Sequence, residues 1–315
     1  MEGILKDRKD QKLNQNTILW GGMFNYGKYG PESMFTTIIP EKELKSIDPS
    51  TLTDLLKELY SYKHKLFYYG KMSPEKVKPY LEKFHNIPTE LKEYPEPLEF
   101  VPVDNKENKV YIVDYDMVQA NIVMMTKDEK LNTELLPEAT LFSEYFGSGL
   151  SSIVFQEIRE ARALAYSAFA TYDIPSRKDN YHYVYGFVGT QADKLKTATD
   201  AMLDLMNDMP KAEKQFNLAK ETIQKRIQTE RITRQSIYYT YLSNLDKGVS
   251  HDIREDIYNG VQNMSMEDLE NFFNDHIAKH NYTYLILADK ENLDMNVLRE
   301  LGTIEELSLE EIFGY

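Results

Sequence analysis

The chain has no cysteine, so a transition-metal site would depend on its six histidines and on carboxylates. One pair has a helical spacing: in His276-Ile-Ala-Lys-His280 both rings would fall on the same helix face. The zinc motifs H-E-x-x-H and H-x-x-E-H each need a glutamate where Ile277 and Lys279 stand. We therefore predict no metal site and interpret both histidines as surface or helix C-terminal residues, where a cation is mildly favourable.

A glycine-rich turn, Gly147-Ser148-Gly149, could serve two other chemistries. A phosphate-binding loop would need the lysine of a P-loop or a nucleotide-binding fingerprint, and neither follows this turn. A serine hydrolase would need the spacing Gly-x-Ser-x-Gly, which the turn does not have. We interpret the turn as a helix break, because glycine adopts positive φ at low cost, and we take Ser148 and Ser151 as candidate N-caps of the next helix.

Arg159 and Tyr166 lie seven positions apart at a corner between two predicted elements. Across residues 145–167 the sequence predicts a helix end, the glycine break, a second helix and the start of a strand. Arg159 falls off the buried face in the last turn of the second helix. In an ordinary structural role Arg159 would pair with Glu157 or Glu160, and Tyr166 would be a core aromatic with its hydroxyl at the rim.

The run from Arg159 to Ser167, Arg-Glu-Ala-Arg-Ala-Leu-Ala-Tyr-Ser, follows the glycine break and a Ser-Ser-x-x-Phe-Gln-Glu helix. It resembles the C-terminal half of the pitrilysin and insulin-degrading-enzyme family of zinc metallopeptidases. In that family an arginine and a tyrosine seven positions apart reach into the catalytic chamber, which implies that Arg159 and Tyr166 bind peptide substrate. Tyr166 would also act catalytically as a donor to the scissile oxyanion, and such donors are typically worth ~3 kcal/mol.

The family's zinc motif H-x-x-E-H is absent from this sequence. The resemblance therefore implies no cofactor in this chain and a zinc ion in an N-terminal half, supplied by the same full-length chain or by a partner subunit. Peptide substrate is the other expected partner, and the chain alone should not hydrolyse peptides. Two alternatives stay open: a non-catalytic scaffold or partner subunit of the same fold, and a peptide-binding module with no enzymatic partner.

The net charge of −14 argues against a nucleic-acid or anionic-membrane partner, since both need clustered lysine and arginine. No apolar run approaches the ~20 residues of a membrane span. The lack of cysteine fits the cytoplasm and a bacterial periplasm equally well. We therefore expect a soluble protein of one of these compartments.

The resemblance implies an α+β fold, with helices packed on one face of a largely antiparallel sheet. A proline-rich connector over residues 88–108 predicts a domain boundary. The helix-and-strand pattern of residues 52–69 recurs in residues 269–286, which indicates a repeat. Residues 1–95 would then be the rear half of a truncated insulinase-like domain, and residues 96–315 a complete non-zinc C-terminal domain. The chain is accordingly expected to be part of a longer protein.

Local sequence patterns make four further predictions. Residues 66–69 should form a short buried strand, and residues 120–125 and 282–288 should form two more. A long helix from residue 211 to about residue 245 should be broken near Thr233.

Overall fold

The computed structural model describes residues 1–85 and 87–315, and its centre is a six-stranded sheet. The strands are Lys109–Asp114 (β1), Gln119–Lys130 (β2), Ser167–Asp173 (β3), Tyr181–Gln191 (β4), Thr283–Ala288 (β5) and Thr303–Glu306 (β6). Their order across the sheet is β3-β4-β2-β5-β1-β6. The pairs β2–β4, β2–β5 and β3–β4 are antiparallel, whereas β1 runs parallel to β5 and β6. The predicted α+β class is confirmed, and β6 is a strand that the sequence did not predict.

The helices surround this sheet. The α-helices are Glu2–Gln11 (α1), Phe24–Tyr29 (α2), Glu41–Ser46 (α3), Pro49–Glu58 (α4), Pro74–Phe84 (α5), Leu136–Phe142 (α6), Leu195–Asn207 (α7), Glu213–Thr229 (α8), Arg234–Asp246 (α9), Ile253–Asn263 (α10), Met266–His276 (α11), Met295–Leu301 (α12) and Leu309–Phe313 (α13). Three further segments, Thr17–Met23, Ser143–Gly147 and Phe155–Ala161, are π-helical. Such winding is frequent at functional sites, and two of these segments flank the predicted glycine break.

Strand β2 shows why the sheet has two apolar faces. Ile122 and Met124 belong to one hydrophobic core, whereas Val123 and Met125 belong to another, and all four side chains are almost fully buried. Successive side chains of a strand point to opposite faces, so each face needs its own cover. The continuous apolar run in β2 is typical of a strand that is buried on both sides.

The larger core lies between one face of the sheet and the helices that follow β2. Helices α6, α7, α8, α10 and α11 contribute to it, together with the two π-helical segments around the glycine break. Phe142 and Phe146 stack within it at 4.9 Å between ring centroids, and Phe273 packs against both. This core is the helical layer that the sequence predicted.

The smaller core covers the opposite face and uses the two ends of the chain. Ile18, Leu19 and Met23 of the π-helical segment Thr17–Met23 are buried against it, and so are Ile312 and Phe313 of α13. The sequence prediction placed helices on one face only. The structure adds this second layer, because the apolar residues of β2 and β5 that face away from the larger core also have to be covered.

The predicted strand at residues 66–69 does not form. These residues make no β-ladder, and their side chains are between 38% and 59% exposed. Phe67 instead stacks on Tyr238 of α9, with 4.1 Å between ring centroids. The matching segment of the predicted repeat is β5, which pairs with β1 and β2. A strand needs a neighbour for its backbone groups, and residues 66–69 have none in the part of the chain described.

The predicted break in the long helix is confirmed. Helix α8 ends at Thr229 and α9 begins at Arg234, with Thr233 as its N-cap. The Thr233 hydroxyl accepts a hydrogen bond from the backbone of Ser236, whose side chain accepts one from the backbone of Thr233 in return. This reciprocal capping box starts a new helix at the predicted position.

Candidate functional site

The corner between helix and strand depends on Gly147. Helix α6 continues as the π-helical turn Ser143–Gly147, which packs directly on strand β3. A Cβ atom at position 147 would lie only 1.5 Å from the carbonyl oxygen of Ala170. Gly149, by contrast, has φ +82° and open space around it. The two glycines therefore act differently, one through close approach and the other through positive φ.

The second helix of the corner starts at a different serine from those predicted. The Ser152 hydroxyl donates to the carbonyl oxygen of Gly149 at 2.9 Å and accepts from the backbone of Phe155 at 3.4 Å. The prediction that Ser148 or Ser151 caps the helix was therefore wrong. The capping serine is the residue directly after Ser151. Ser152 is almost fully buried, so its hydroxyl is held against these backbone groups.

Arg159 lies in the π-helical segment Phe155–Ala161, and its side chain is 46% exposed. Its Nε atom is 3.8 Å from the Glu160 carboxylate, which is too long for a hydrogen bond. The guanidinium carbon lies 4.8 Å from the centre of the Phe155 ring. An exposed ion pair at this distance contributes little, so the donor fork of Arg159 is available to a ligand.

Tyr166 lies immediately before β3 and is 53% exposed. Its backbone nitrogen donates to the carbonyl oxygen of Gly189 at 2.8 Å, which anchors the residue to β4. Among the described residues its hydroxyl has no hydrogen-bond partner. Tyr166 is therefore not the core aromatic of the ordinary structural alternative.

Arg159 and Tyr166 line the same open cleft, which has a volume of about 320 Å³. The helix-to-strand turn also lines the cleft, together with Thr190 and Gln191 at the end of β4 and Lys194 shortly after it. The Thr190 hydroxyl donates to the carbonyl oxygen of Leu164 at 2.5 Å and so ties the turn to β4. Sequence reasoning missed these three residues, since only the pairing of β3 with β4 brings the end of β4 to the cleft.

Ala163 at the bottom of the turn has φ +48°. This left-handed conformation is uncommon for a residue other than glycine, asparagine or aspartate. Strained backbone of this kind persists where surrounding contacts hold it and clusters at binding sites. The hydrogen bond from the backbone of Leu164 to Ile158 is one such contact.

The histidines of the chain do not form a metal centre in the described part, which contains no group of three or more histidine, cysteine or acidic side chains able to hold an ion. His276 is the last residue of α11, as predicted, but it is largely buried and its Nδ1 lies 2.8 Å from Asp128 Oδ2. Nε2 of His280 lies 3.1 Å from the carbonyl oxygen of His276. Because both rings are engaged by other groups, they do not fit a zinc site.

The sequence profile of the peptidase M16 inactive domain matches residues 46–223, more than half of the chain. The chain belongs to this family. The resemblance to pitrilysin and insulin-degrading enzymes that the sequence predicted is thereby confirmed, and the match is to the inactive domain of the family. The matched region runs from α4 to α8 and includes Arg159 and Tyr166.

Solved structures with the same fold include an M16 inactive domain and two bacterial proteases. An M16 inactive domain from Pseudomonas fluorescens is 14% identical with a TM-score of 0.67, over 91% of this chain and 68% of that one. A protease from Helicobacter pylori is 14% identical with a TM-score of 0.64, over 91% of this chain and 72% of the protease. The periplasmic protease PqqL from Escherichia coli is 14% identical with a TM-score of 0.52, over 70% of this chain but only 25% of the protease. At these identities the likeness shows the fold of the M16 inactive domain alone.

No curated protein sequence matches the chain. Among the helices of the described residues, none combines the length and the apolar character that crossing a bilayer requires.

Proposed function

We propose that this M16 inactive domain forms one wall of a peptide-enclosing chamber and contacts the substrate through Arg159 and Tyr166. The observation that carries the proposal is that both side chains line one open cleft and are about half exposed. Neither side chain makes a strong contact that a peptide would have to break, since the Arg159 ion pair is 3.8 Å long.

The chemistry of the two groups suits a substrate in the course of hydrolysis. The Tyr166 hydroxyl would donate to the oxyanion that develops on the scissile carbonyl, and Arg159 would hold a backbone carbonyl or a carboxylate. Neither group can activate water. A zinc-bearing N-terminal half, in the same full-length chain or in a partner subunit, would supply that step.

The local charge of the cleft supports the same role. Arg159 and Lys194 line it together with Glu160, so cations outnumber carboxylates there although the whole chain has a net charge of −14. A peptide backbone offers carbonyl oxygens as acceptors, and its C-terminus offers a carboxylate. Hydrogen bonds from charged donors to such groups are among the stronger ones in proteins.

The related structures support membership in a larger assembly. The Escherichia coli protease is about four times longer than the part that resembles this chain. We propose that residues 96–315 act as the non-zinc domain of such a peptidase, with residues 17–23 covering the second face of their sheet, and that the remainder of residues 1–95 belongs to a preceding domain. Exposed leucines on α4 at positions 52, 55 and 56 are the apolar surface that the remainder of that domain would cover.

Peptide binding tests the proposal directly. A fluorescein-labelled, unstructured peptide of about thirty residues is titrated with the chain, and its fluorescence anisotropy is followed. Arg159→Ala should weaken binding about tenfold or more, because a charged hydrogen bond is lost. Arg162→Ala is the matched control, since Arg162 is 45% exposed, forms a similar 3.8 Å ion pair and lies outside the cleft.

Equal binding by the Arg159→Ala variant and the parent chain would contradict the proposal. It would favour the alternative of a non-catalytic scaffold or partner subunit. Hydrolysis of the peptide by the chain alone with added zinc, abolished by a chelator, would contradict the need for a zinc-bearing half.

A further inference from the structure

A second cavity, of about 940 Å³, lies at the opposite end of the β3–β4 hairpin from the Arg159 cleft. Its walls include Asp173 at the end of β3, Tyr181 and Tyr183 at the start of β4, and Lys28 of α2. Residues 97–102 of the proline-rich connector cover it. The volume lies in the range of small-molecule sites.

The Tyr183 hydroxyl is the first unexplained group in this cavity. Tyr183 is 4% exposed, and its hydroxyl oxygen is buried with no hydrogen-bond partner among the described residues. Buried hydroxyl groups nearly always have a partner, because desolvation without one is unfavourable. A ligand in the cavity would provide the missing partner.

Lys28 is the second group that could bind a ligand in this cavity. Its side chain is 17% exposed, and its ammonium group lies 3.8 Å from the Asp173 carboxylate, beyond hydrogen-bond distance. Two other lysines with similar exposure, Lys12 at 18% and Lys127 at 15%, each form a hydrogen-bonded ion pair with a carboxylate. The ion pair of Lys28 with Asp173 is thus longer than the ion pairs of two similarly buried lysines of this chain.

The aromatic residues that line the cavity indicate which chemical group would carry an anion bound by Lys28. The Lys28 ammonium lies 4.2 Å from the centre of the Tyr183 ring, and Tyr29 and Phe100 add further aromatic surface with 6.0 Å between their centroids. Burial lowers the pKa of Lys28, and the Asp173 carboxylate offsets part of that effect.

We propose that this cavity binds a carboxylate carried on an aromatic or apolar group, with Lys28 and Tyr183 as donors to the carboxylate. The carboxylate is that of a free acid or of a peptide C-terminus. The rings of Tyr29 and Phe100 pack on the apolar part. The site is independent of the proposed function, since it shares no residue with the Arg159 cleft.

Calorimetric titration of the chain with N-acetylphenylalanine tests the site, with N-acetylphenylalaninamide as the uncharged match. The acid should bind at least tenfold more tightly than the amide, because the amide loses a charged hydrogen bond. Lys28→Met should weaken binding of the acid by a similar factor. Lys12→Met is the matched control, with equal burial outside the cavity, and should leave the affinity unchanged.

Tyr183→Phe separates a binding role from a structural one. The variant should weaken binding of the acid about fivefold, yet raise the melting temperature of the ligand-free chain, because a buried hydroxyl without a partner is removed.

Tighter binding of N-acetyl-leucyl-phenylalanine than of phenylacetate would assign the ligand to a peptide C-terminus, and equal binding would assign it to a free acid. Equal affinities for acid and amide, for acid and inorganic phosphate, or for parent and Lys28→Met would each overturn the proposal.

Discussion

Gly147 and Ala170 are in such close contact that no side chain fits between them: a Cβ at position 147 would lie 1.5 Å from the carbonyl oxygen of Ala170. The contact joins the π-helical turn Ser143–Gly147 to strand β3. Since Tyr166 immediately precedes β3, this contact also sets the position of the candidate cleft relative to the larger core.

Gly147→Ala should therefore destabilise the fold strongly. The added methyl group meets backbone, which cannot move aside as a flexible side chain would, and we expect a loss of about 3 kcal/mol in the free energy of unfolding. Urea denaturation followed by circular dichroism measures it. Gly149→Ala is the control: it has open space but φ +82°, and should cost about 1 kcal/mol. Equal losses for the two variants would contradict the close-contact argument.

The partly buried pair of His276 and Asp128 predicts a pH dependence of stability. The hydrogen bond to Asp128 raises the pKa of His276 above its usual value of 6.5. Burial alone would raise the pKa of Asp128, but hydrogen bonds from His276 and Tyr172 outweigh it and hold that pKa below 3.8. The stabilisation by His276 is thus complete below about pH 6.5 and is lost as the pH rises through its folded pKa.

The contribution of Asp128 has the opposite sign, since it is present above about pH 3.8 and is lost as the pH falls. His276→Gln should therefore lower the free energy of unfolding by about 1 kcal/mol more at pH 5.5 than at pH 8.5. Urea denaturation at both pH values measures this difference. Burial lowers the pKa of His182, which stacks on Tyr172, so His182 also makes the stability depend on pH. The pH dependence of the parent chain alone therefore does not isolate His276, and the variant is needed. A pH-independent effect of His276→Gln would exclude a charged His276.

Tyr166→Phe should separate catalysis from binding in a peptidase assembled from this chain and a zinc-bearing half. Loss of the hydroxyl removes a donor to the developing oxyanion, so kcat should fall by roughly 10²-fold, with KM changed by less than about threefold. Arg159→Ala should instead raise KM. Steady-state cleavage of a fluorogenic peptide measures both constants. An unchanged kcat for Tyr166→Phe would remove its assigned catalytic role.

Thr233→Ala should loosen α9 without unfolding the core. The variant loses one side of the capping box, which is worth about 1 kcal/mol, and Asn244 is the only buried residue that α9 contributes. Hydrogen exchange should show faster exchange of the α9 amides and unchanged exchange in β2. Thr229→Ala, in the last turn of α8, is the control, and its hydroxyl donates only to a backbone carbonyl within the same helix. Equal exchange in parent and variant would show that the cap contributes nothing.

Local patterns alone determined much of this chain. The strand at residues 120–125, the strand at residues 282–288 and the break before α9 were predicted, because side-chain alternation and capping residues act between near neighbours. The corner carrying Arg159 and Tyr166 was predicted for the same reason, and its motif also indicated the family. The substrate-binding roles of the two residues stay predictions.

Other features depended on contacts between distant residues. Only the tertiary structure shows that Thr17–Met23 covers the second face of the sheet and that Thr190 and Lys194 complete the cleft. It also shows that residues 66–69 pair with no other strand in the described part of the chain. A strand or a cleft wall exists only when a partner from elsewhere in the chain satisfies its backbone groups or packs against it. Sequence spacing carries no information about that partner, and the fold decides it.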